Sequence, residues 1–415
     1  MRVHKPTLNQ FAFLLALNVT NTAFQLLVIL LLVQFADTEK LGAYFIALSF
    51  SVLLSILVNF GTTQTGLISL KKAEGENERK KISAEILGLR TLPFLVSALI
   101  CLIAPMLSKS FGTYFLLTLP MIFAEFINPQ AYLIATYKSK NYTILNFLLK
   151  AFVLISIYVF KTDLNIIEFT ILATGSCMTI LNLIYLPSTL LQKGTLFFYP
   201  KLNKIISLTS ENVMIMGNGI TGQLQQSLFL FALPSIASPL FVSSYGFIDK
   251  LISSFRMLIN AYGTAFMPRA AGLHKEGFDQ WKMIKQQQNT ILTIGCVLIA
   301  LIMFIFPHQL LMLLFMGKKT EAAFFTQTAI LIQAISMVPL LMALNVLNVA
   351  EVFLEKKYTL HFKGGLLLLL ITVISITALK YTLPFFVAGY YPMIIEGASL
   401  IVSLSIVQKI RNAQP

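Results

Sequence analysis

The sequence predicts an all-α polytopic membrane protein, with twelve transmembrane helices in two six-helix lobes related by a parallel pseudo-twofold axis. Three observations carry that prediction. The 415 residues are 57% hydrophobic and 12% charged, with a mean hydropathy of +0.79, a composition foreign to soluble domains of this size. The apolar residues gather in runs of roughly 20 or more, the length a helix needs to cross a bilayer. Finally, short polar signatures in residues 1–200 recur in residues 201–415 at a near-constant offset.

The expected spans are 10–33, 41–68, 82–107, 111–135, 142–160, 166–191, 207–232, 240–267, 288–316, 322–350, 358–380 and 384–408. The first run is too long for a signal-peptide core and carries Asn18 and Asn21, so it reads as an uncleaved span. Asn18 and Gln25 of span 1 match Asn218 and Gln225 of span 7. Asn59-Phe-Gly61-Thr62 at the end of span 2 matches Asn260-Ala-Tyr-Gly263-Thr264 at the end of span 8. Six spans per copy bring both copies into the membrane in the same direction, the arrangement of parallel transporter repeats with substrate held between the halves.

The net charge of +14 sits in short loops between apolar runs, so it indicates membrane topology and excludes a nucleic-acid partner. With the N-terminus inside, the inner loops hold Lys71, Lys72, Arg79, Lys80, Lys81, Lys193, Lys201, Lys204, Lys275, Lys282, Lys285, Lys409 and Arg411, among others. The outer loops hold only Lys40, Lys109, Lys161, Lys318, Lys319 and Lys380, which places both termini in the cytoplasm. Cys101, Cys177 and Cys296 lie in apolar runs, and the four histidines lack ligand spacing, so no disulfide, metal site or cofactor is expected. No loop is long enough to fold as a domain. Any chemistry must therefore take place within the spans.

Polar residues inside spans mark the candidate site, because an amide or charge in hydrocarbon must find a partner or water. In span 8, Asp249, Ser253, Arg256 and Asn260 recur at helical spacing and form one stripe, with Lys250 beside it. Asn18, Thr22 and Gln25 form a stripe on span 1, and Glu211, Asn218, Gly222 and Gln225 form the equivalent on span 7. Asp249 is expected to pair with Arg256 one helical period away; Glu211 and, in reserve, Glu396 are the other carboxyls that would couple transport to an ion. Glu125 and Lys150 lie at similar depth on consecutive antiparallel spans and are expected to form a buried ion pair. Arg90, about a turn inside span 3, is expected to snorkel. Pro120, Pro129, Pro187, Pro339 and Pro392 each remove a backbone donor and are candidate kinks.

Gly42-Ala-Tyr44 through Asn59-Phe60-Gly61, with the basic loop from Lys71, resembles the second span of polysaccharide-biosynthesis membrane proteins. Tyr245-Gly-Phe-Ile-Asp-Lys250-Leu, followed by Phe266-Met-Pro268-Arg269, resembles their eighth. The family is the O-antigen flippase (Wzx) group, similar to the MATE extruders and lipid II flippases. The resemblance implies a V-shaped pair of bundles around a partly cationic cavity. It also implies movement of undecaprenyl-diphosphate-linked oligosaccharide from the inner to the outer leaflet of the bacterial inner membrane, without enzymatic activity. Lys250 and Arg256 inherit the cationic role through the span 8 motif; Arg90 and Lys150 match by span and charge alone. The implied partners are the lipid-linked oligosaccharide, membrane lipids and the polysaccharide polymerase machinery.

A cation-coupled multidrug extruder of the same fold is the alternative, and it calls for an acidic, aromatic lumen. A membrane polymerase or ligase calls for a large outer loop with catalytic Arg or His, which the short outer loops do not provide. A scaffold leaves the polar stripes without a purpose.

Overall fold

The computed structural model describes residues 5–107, 111–161, 165–190, 202–276, 278–315, 322–355, 357–381 and 384–412. Among these, every regular element is helical. The first half runs α1 (Lys5–Phe35), α2 (Thr38–Asn59), α3 (Thr62–Lys72), α4 (Glu76–Leu107), α5 (Gly112–Leu117), α6 (Leu119–Phe126), α7 (Gln130–Ala135), α8 (Ser139–Val159) and α9 (Ile166–Leu190). The second runs α10 (Leu202–Ala232), a 3₁₀ turn at Leu233–Ser235, α11 (Pro239–Glu276), α12 (Phe278–Ile305), α13 (Pro307–Leu314), α14 (Ala322–Ala334), α15 (Val338–Leu354), α16 (Tyr358–Tyr381) and α17 (Pro384–Asn412). Two compact units emerge, Met1–Gln223 and Leu224–Pro415, divided within α10.

Among the described residues, eight helices are long and apolar enough to cross a membrane, and the bent pair α14–α15 makes up to nine. The predicted spans outside that set are spans 4, 7 and 8. Span 4 is cut into α5, α6 and α7, while span 8, as the 38-residue α11, carries Asp249, Lys250 and Arg256.

The fourth span of each half is broken, with a proline just after the break. After Thr118, α6 resumes with Pro120 in its first turn; after Met337, α15 resumes with Pro339 in its first turn. A proline ring lacks the donor that would continue the preceding helix, and it is tolerated where a new helix begins. Pro129 likewise caps α7, whereas Pro187 and Pro392 sit inside the unbroken α9 and α17.

In the first unit α1 packs along α8, and α6 against α2 and α9. In the second, α15 is the central post, flanked by α11, α12 and α17. Residues 241–252 of α11 are buried on nearly every face, the condition of a helix surrounded by its own bundle.

The matched Asn…Gly signatures behave differently in the two units. Phe60 (φ 51°) and Gly61 (φ 71°) are left-handed and break α2 from α3. The matching Gly263 runs through the middle of α11. Asn59 stabilises the break, its Nδ2 donating to Thr63 Oγ1 and to Glu125 Oε1, both at 2.6 Å. A Cβ on Gly61 would meet the Asn212 carbonyl oxygen and Ile215 Cβ at 3.1 Å, so glycine also permits the close approach of α10. Thr65 Oγ1 donates to Asn212 Oδ1 at 2.7 Å across the same contact.

Candidate functional site

Lys150 is the centre of the polar group in the first unit. It projects from α8 toward α1, where its Nζ donates to Asn21 Oδ1 and lies 4.9 Å from the centroid of the Phe24 ring. Asn146, one turn back on α8, donates to the same Asn21 oxygen at 3.2 Å. Among the described residues no carboxylate pairs with this ammonium. Its neighbours are a neutral amide and an aromatic face, which hold it without cancelling its charge. On α1, Asn18 is exposed and Gln25 half-buried.

The expected Glu125–Lys150 ion pair is therefore corrected. Both residues lie within spans, but Glu125 points elsewhere: its carboxylate accepts from Asn59 Nδ2 at 2.6 Å and from Asn128 Nδ2 at 3.0 Å. Equal depth on neighbouring helices does not fix the direction around each helix axis. Arg90 is also corrected. Instead of snorkelling, it is 2% exposed, and its Nε donates to Thr62 Oγ1 at 2.7 Å. Its Nη1 donates to the carbonyls of Glu125 and Asn128, both at 3.1 Å. Those carbonyls lie at the α6–α7 break, where a helix end leaves acceptors without intrahelical donors. Arg90 is the cap of that break, with its donors directed at protein.

In the second unit the acids of the spans are held by cations. Asp249 Oδ2 accepts from Lys250 Nζ at 2.9 Å, with both side chains largely buried. Arg256 reaches across to α17, where its Nη2 meets Glu396 Oε1 at 2.6 Å. The Asp249–Arg256 pairing expected from the stripe is thus replaced by Arg256–Glu396, which also supplies the partner Glu396 lacked in its own span. Gln225 donates to the Gly365 carbonyl at 2.8 Å, and its backbone oxygen accepts from Tyr391 at 2.6 Å. It joins α10 to α16 and α17, so its amide serves helix packing. Asn218 is half-buried and Asn260 exposed. Glu211 lies outside the described residues as far as its side chain is concerned.

One cluster escaped the sequence reading. Glu351, 1% exposed on α15, accepts from Arg411 Nε at 3.0 Å and Nη2 at 3.1 Å, from Lys285 at 2.6 Å and from Trp281 Nε1 at 3.2 Å. Lys285 also donates to Asn348 Oδ1 at 2.7 Å. Lys285 and Arg411 look like loop cations in the sequence, yet they tie α12 and α17 to α15. The signal was a carboxylate just beyond the apolar end of a span, with basic residues at the ends of two others. Among the described residues no three His, Cys, Asp or Glu side chains gather as a metal site.

No family model matches this chain, and no curated protein matches it. Solved structures do. An inward-facing multidrug resistance MATE family transporter of the MOP superfamily aligns with a TM-score of 0.74 and 9% identity, over 95% of this chain and 96% of that one. The lipid II flippase MurJ, in an inward closed conformation, aligns at 0.73 and 14% identity, over 96% and 87%. A MOP superfamily transporter from Pyrococcus furiosus, whose binding pocket is described as having reverse polarity, aligns at 0.56 and 11%, over 99% and 96%. At such identities the likeness is one of fold: this chain is similar in architecture to drug extruders and to a lipid flippase alike.

Proposed function

We propose that this chain is a flippase carrying an undecaprenyl-diphosphate-linked oligosaccharide from the inner to the outer leaflet of a bacterial inner membrane by alternating access, with both termini cytoplasmic. The observation that carries this reading is Lys150, an ammonium inside a span held by neutral Asn21 and Phe24. A diphosphate crossing ~30 Å of hydrocarbon needs a cation along its path, and a lysine supplies a point charge. Among the described residues, Asp249 is held by Lys250 and Glu396 by Arg256, so neither of these two carboxylates is left for an organic cation. On α11 and α17 this favours an anionic cargo over the drug-extruder alternative.

Arg256 and Glu396 supply the coupling step in this scheme. An incoming phosphate that takes the arginine's fork must displace Glu396, and departure of the lipid restores the pair. The carboxylate and the phosphate then compete for one cation, a linkage that biases two conformations. Lys250 and Asp249 form the neighbouring pair on α11.

The test is flipping of a fluorescent prenyl-diphosphate saccharide in proteoliposomes. Lys150→Gln keeps the contact with Asn21 and should slow flipping about 10- to 100-fold, the worth of one charged hydrogen bond. Lys150→Arg should retain most of the rate. Wild-type flipping by Lys150→Gln, or gradient-driven export of an organic cation by the wild-type protein, would overturn the proposal.

A further inference from the structure

The amide that holds Lys150 uses only one of its two ends. Asn21, on α1, receives two donors from α8 on a single oxygen: Lys150 Nζ, and Asn146 Nδ2 at 3.2 Å. An ammonium can only donate, so the Asn21 atom that it meets must be the oxygen, and this fixes which way the amide is turned. Asn146 is 5% exposed in the seam between α1 and α8, which keeps the second donor in place. The Asn21 amine then faces away from both donors, and among the described residues Nδ2 has no acceptor. Lys150 likewise keeps ammonium protons beyond the one given to Asn21. Both side chains are half-buried, so neither is sealed inside the seam.

Depth gives these spare donors their weight. Lys150 lies about 15 Å along α8 from the exposed Lys140, half of the ~30 Å hydrocarbon thickness. Polar groups at that depth must be satisfied by protein, cargo or a hydrated cleft. Helix packing alone does not call for an amide here, as the repeat shows. At the offset of 200 that relates Asn18 to Asn218, the counterpart of Asn21 is Thr221. Its hydroxyl donates to carbonyls of its own helix, Gly217 and Asn218, at 3.0 Å each. The buried Thr221 is satisfied within α10, whereas Asn21 reaches to a cation on another helix.

We infer that Asn21 is a second ligand of the Lys150 site, so that Asn21 Nδ2 and Lys150 Nζ together bind a phosphoryl group. This rests on the flippase reading of Lys150 and adds the residue that gives the site its selectivity. A phosphoryl group carries several oxygens on one atom, so it can accept from the ammonium and the amide at once. The Phe24 ring, 4.9 Å from Nζ, covers another side of the ammonium without offering an acceptor oxygen. Asparagine is the residue type that serves both ends. Its oxygen holds the lysine, its amine remains a donor, and it brings no charge to cancel the ammonium. An aspartate in its place would hold the lysine equally well and repel the anion.

The test is binding of farnesyl diphosphate, inorganic diphosphate and farnesol to purified full-length protein by native mass spectrometry, with thermal melting as the fold control. Asn21→Asp keeps both donated contacts, from Lys150 and Asn146, and should melt no lower than wild type. It should nevertheless bind farnesyl diphosphate about 100-fold more weakly, having lost one charged hydrogen bond and neutralised the ammonium. Asn21→Leu loses the donor without adding charge and should bind about 10-fold more weakly. Inorganic diphosphate bound as tightly as farnesyl diphosphate, with the same loss in Asn21→Asp, upholds the pair as ligands and names a free anion as their source. Equal binding of farnesyl diphosphate by wild type and Asn21→Asp overturns the assignment, as does equal binding of farnesol and farnesyl diphosphate by wild type. Slowed flipping by Lys150→Gln would in that case still uphold the lysine. Binding lost in Asn21→Asp with flipping unchanged upholds the site and counts against the transport reading instead.

Discussion

Replacing Arg90 with methionine separates a structural cap from a substrate ligand, because the two roles predict opposite patterns of loss. The side chain makes three good hydrogen bonds, to Thr62 Oγ1 and to the carbonyls of Glu125 and Asn128. Each bond from a charged donor contributes about 1.5–3 kcal/mol, so all three together reach roughly 4–9 kcal/mol. Relaxation and water recover part of that, leaving about 3–5 kcal/mol, as found when one member of a buried charged network is removed. At about 2–4 °C per kcal/mol for a body of this size, the first unit should melt some 6–20 °C lower. Lysine should rescue less than half, since a single ammonium cannot serve Thr62 and the α6–α7 carbonyls together. The assay is fluorescence-detected thermal aggregation of purified protein in detergent, run beside the flipping assay. If Arg90→Met melts within a degree or two of wild type and yet fails to flip, the side chain meets substrate and the cap argument is wrong.

Gly61→Ala should cost about 1–3 kcal/mol, combining the left-handed penalty at φ 71° with a Cβ 3.1 Å from the Asn212 carbonyl oxygen; an unchanged melting temperature would mean that α10 does not pack as described. Glu351→Gln should destabilise the second unit by about 3–5 kcal/mol, because it strips Lys285 and Arg411 of their only shared counter-charge described. Adding Lys285→Met should recover part of that loss, and a coupling energy near zero in this double-mutant cycle would show that the two residues act independently.

Hydropathy made the helical class and the apolar spans legible, because a run of some twenty apolar residues is a signal spread over a whole element. The repeat was legible in Asn18/Asn218 and in the paired Asn…Gly signatures. Partner choice was not. Glu125 and Lys150 have the right depth for each other, but Asn128 and Asn59 face one, and Asn21 and Asn146 face the other. Sequence spacing gives height along a helix; rotation about its axis is set by packing across helices far apart in the chain. Glycine was equally ambiguous: Gly61 breaks its helix and Gly263 does not, although both follow an asparagine by two or three residues. The Glu351 cluster was hidden for a related reason. A cation at the end of a span counts as a loop charge until a buried carboxylate from another span is known to face it.

The placement of these ion pairs bears on how such a protein could change state. Asp249–Lys250 closes within α11, Arg256–Glu396 joins α11 to α17, and Glu351 joins α15 to α12 and α17, all in the second unit. Arg90 closes on α3, α6 and the break after it, all in the first. Separating a buried ion from its partner costs about 3–5 kcal/mol, a large share of the few kcal/mol that separate functional states. Pairs completed inside a unit are carried along intact when that unit moves as a body. Lys150 stands apart, since among the described residues its partners are neutral Asn21 and Phe24 and no carboxylate pairs with it. In the flippase proposed above, the pairs completed within each unit would stay intact through the cycle, and Lys150, with no carboxylate partner among the described residues, would be the group that responds to cargo.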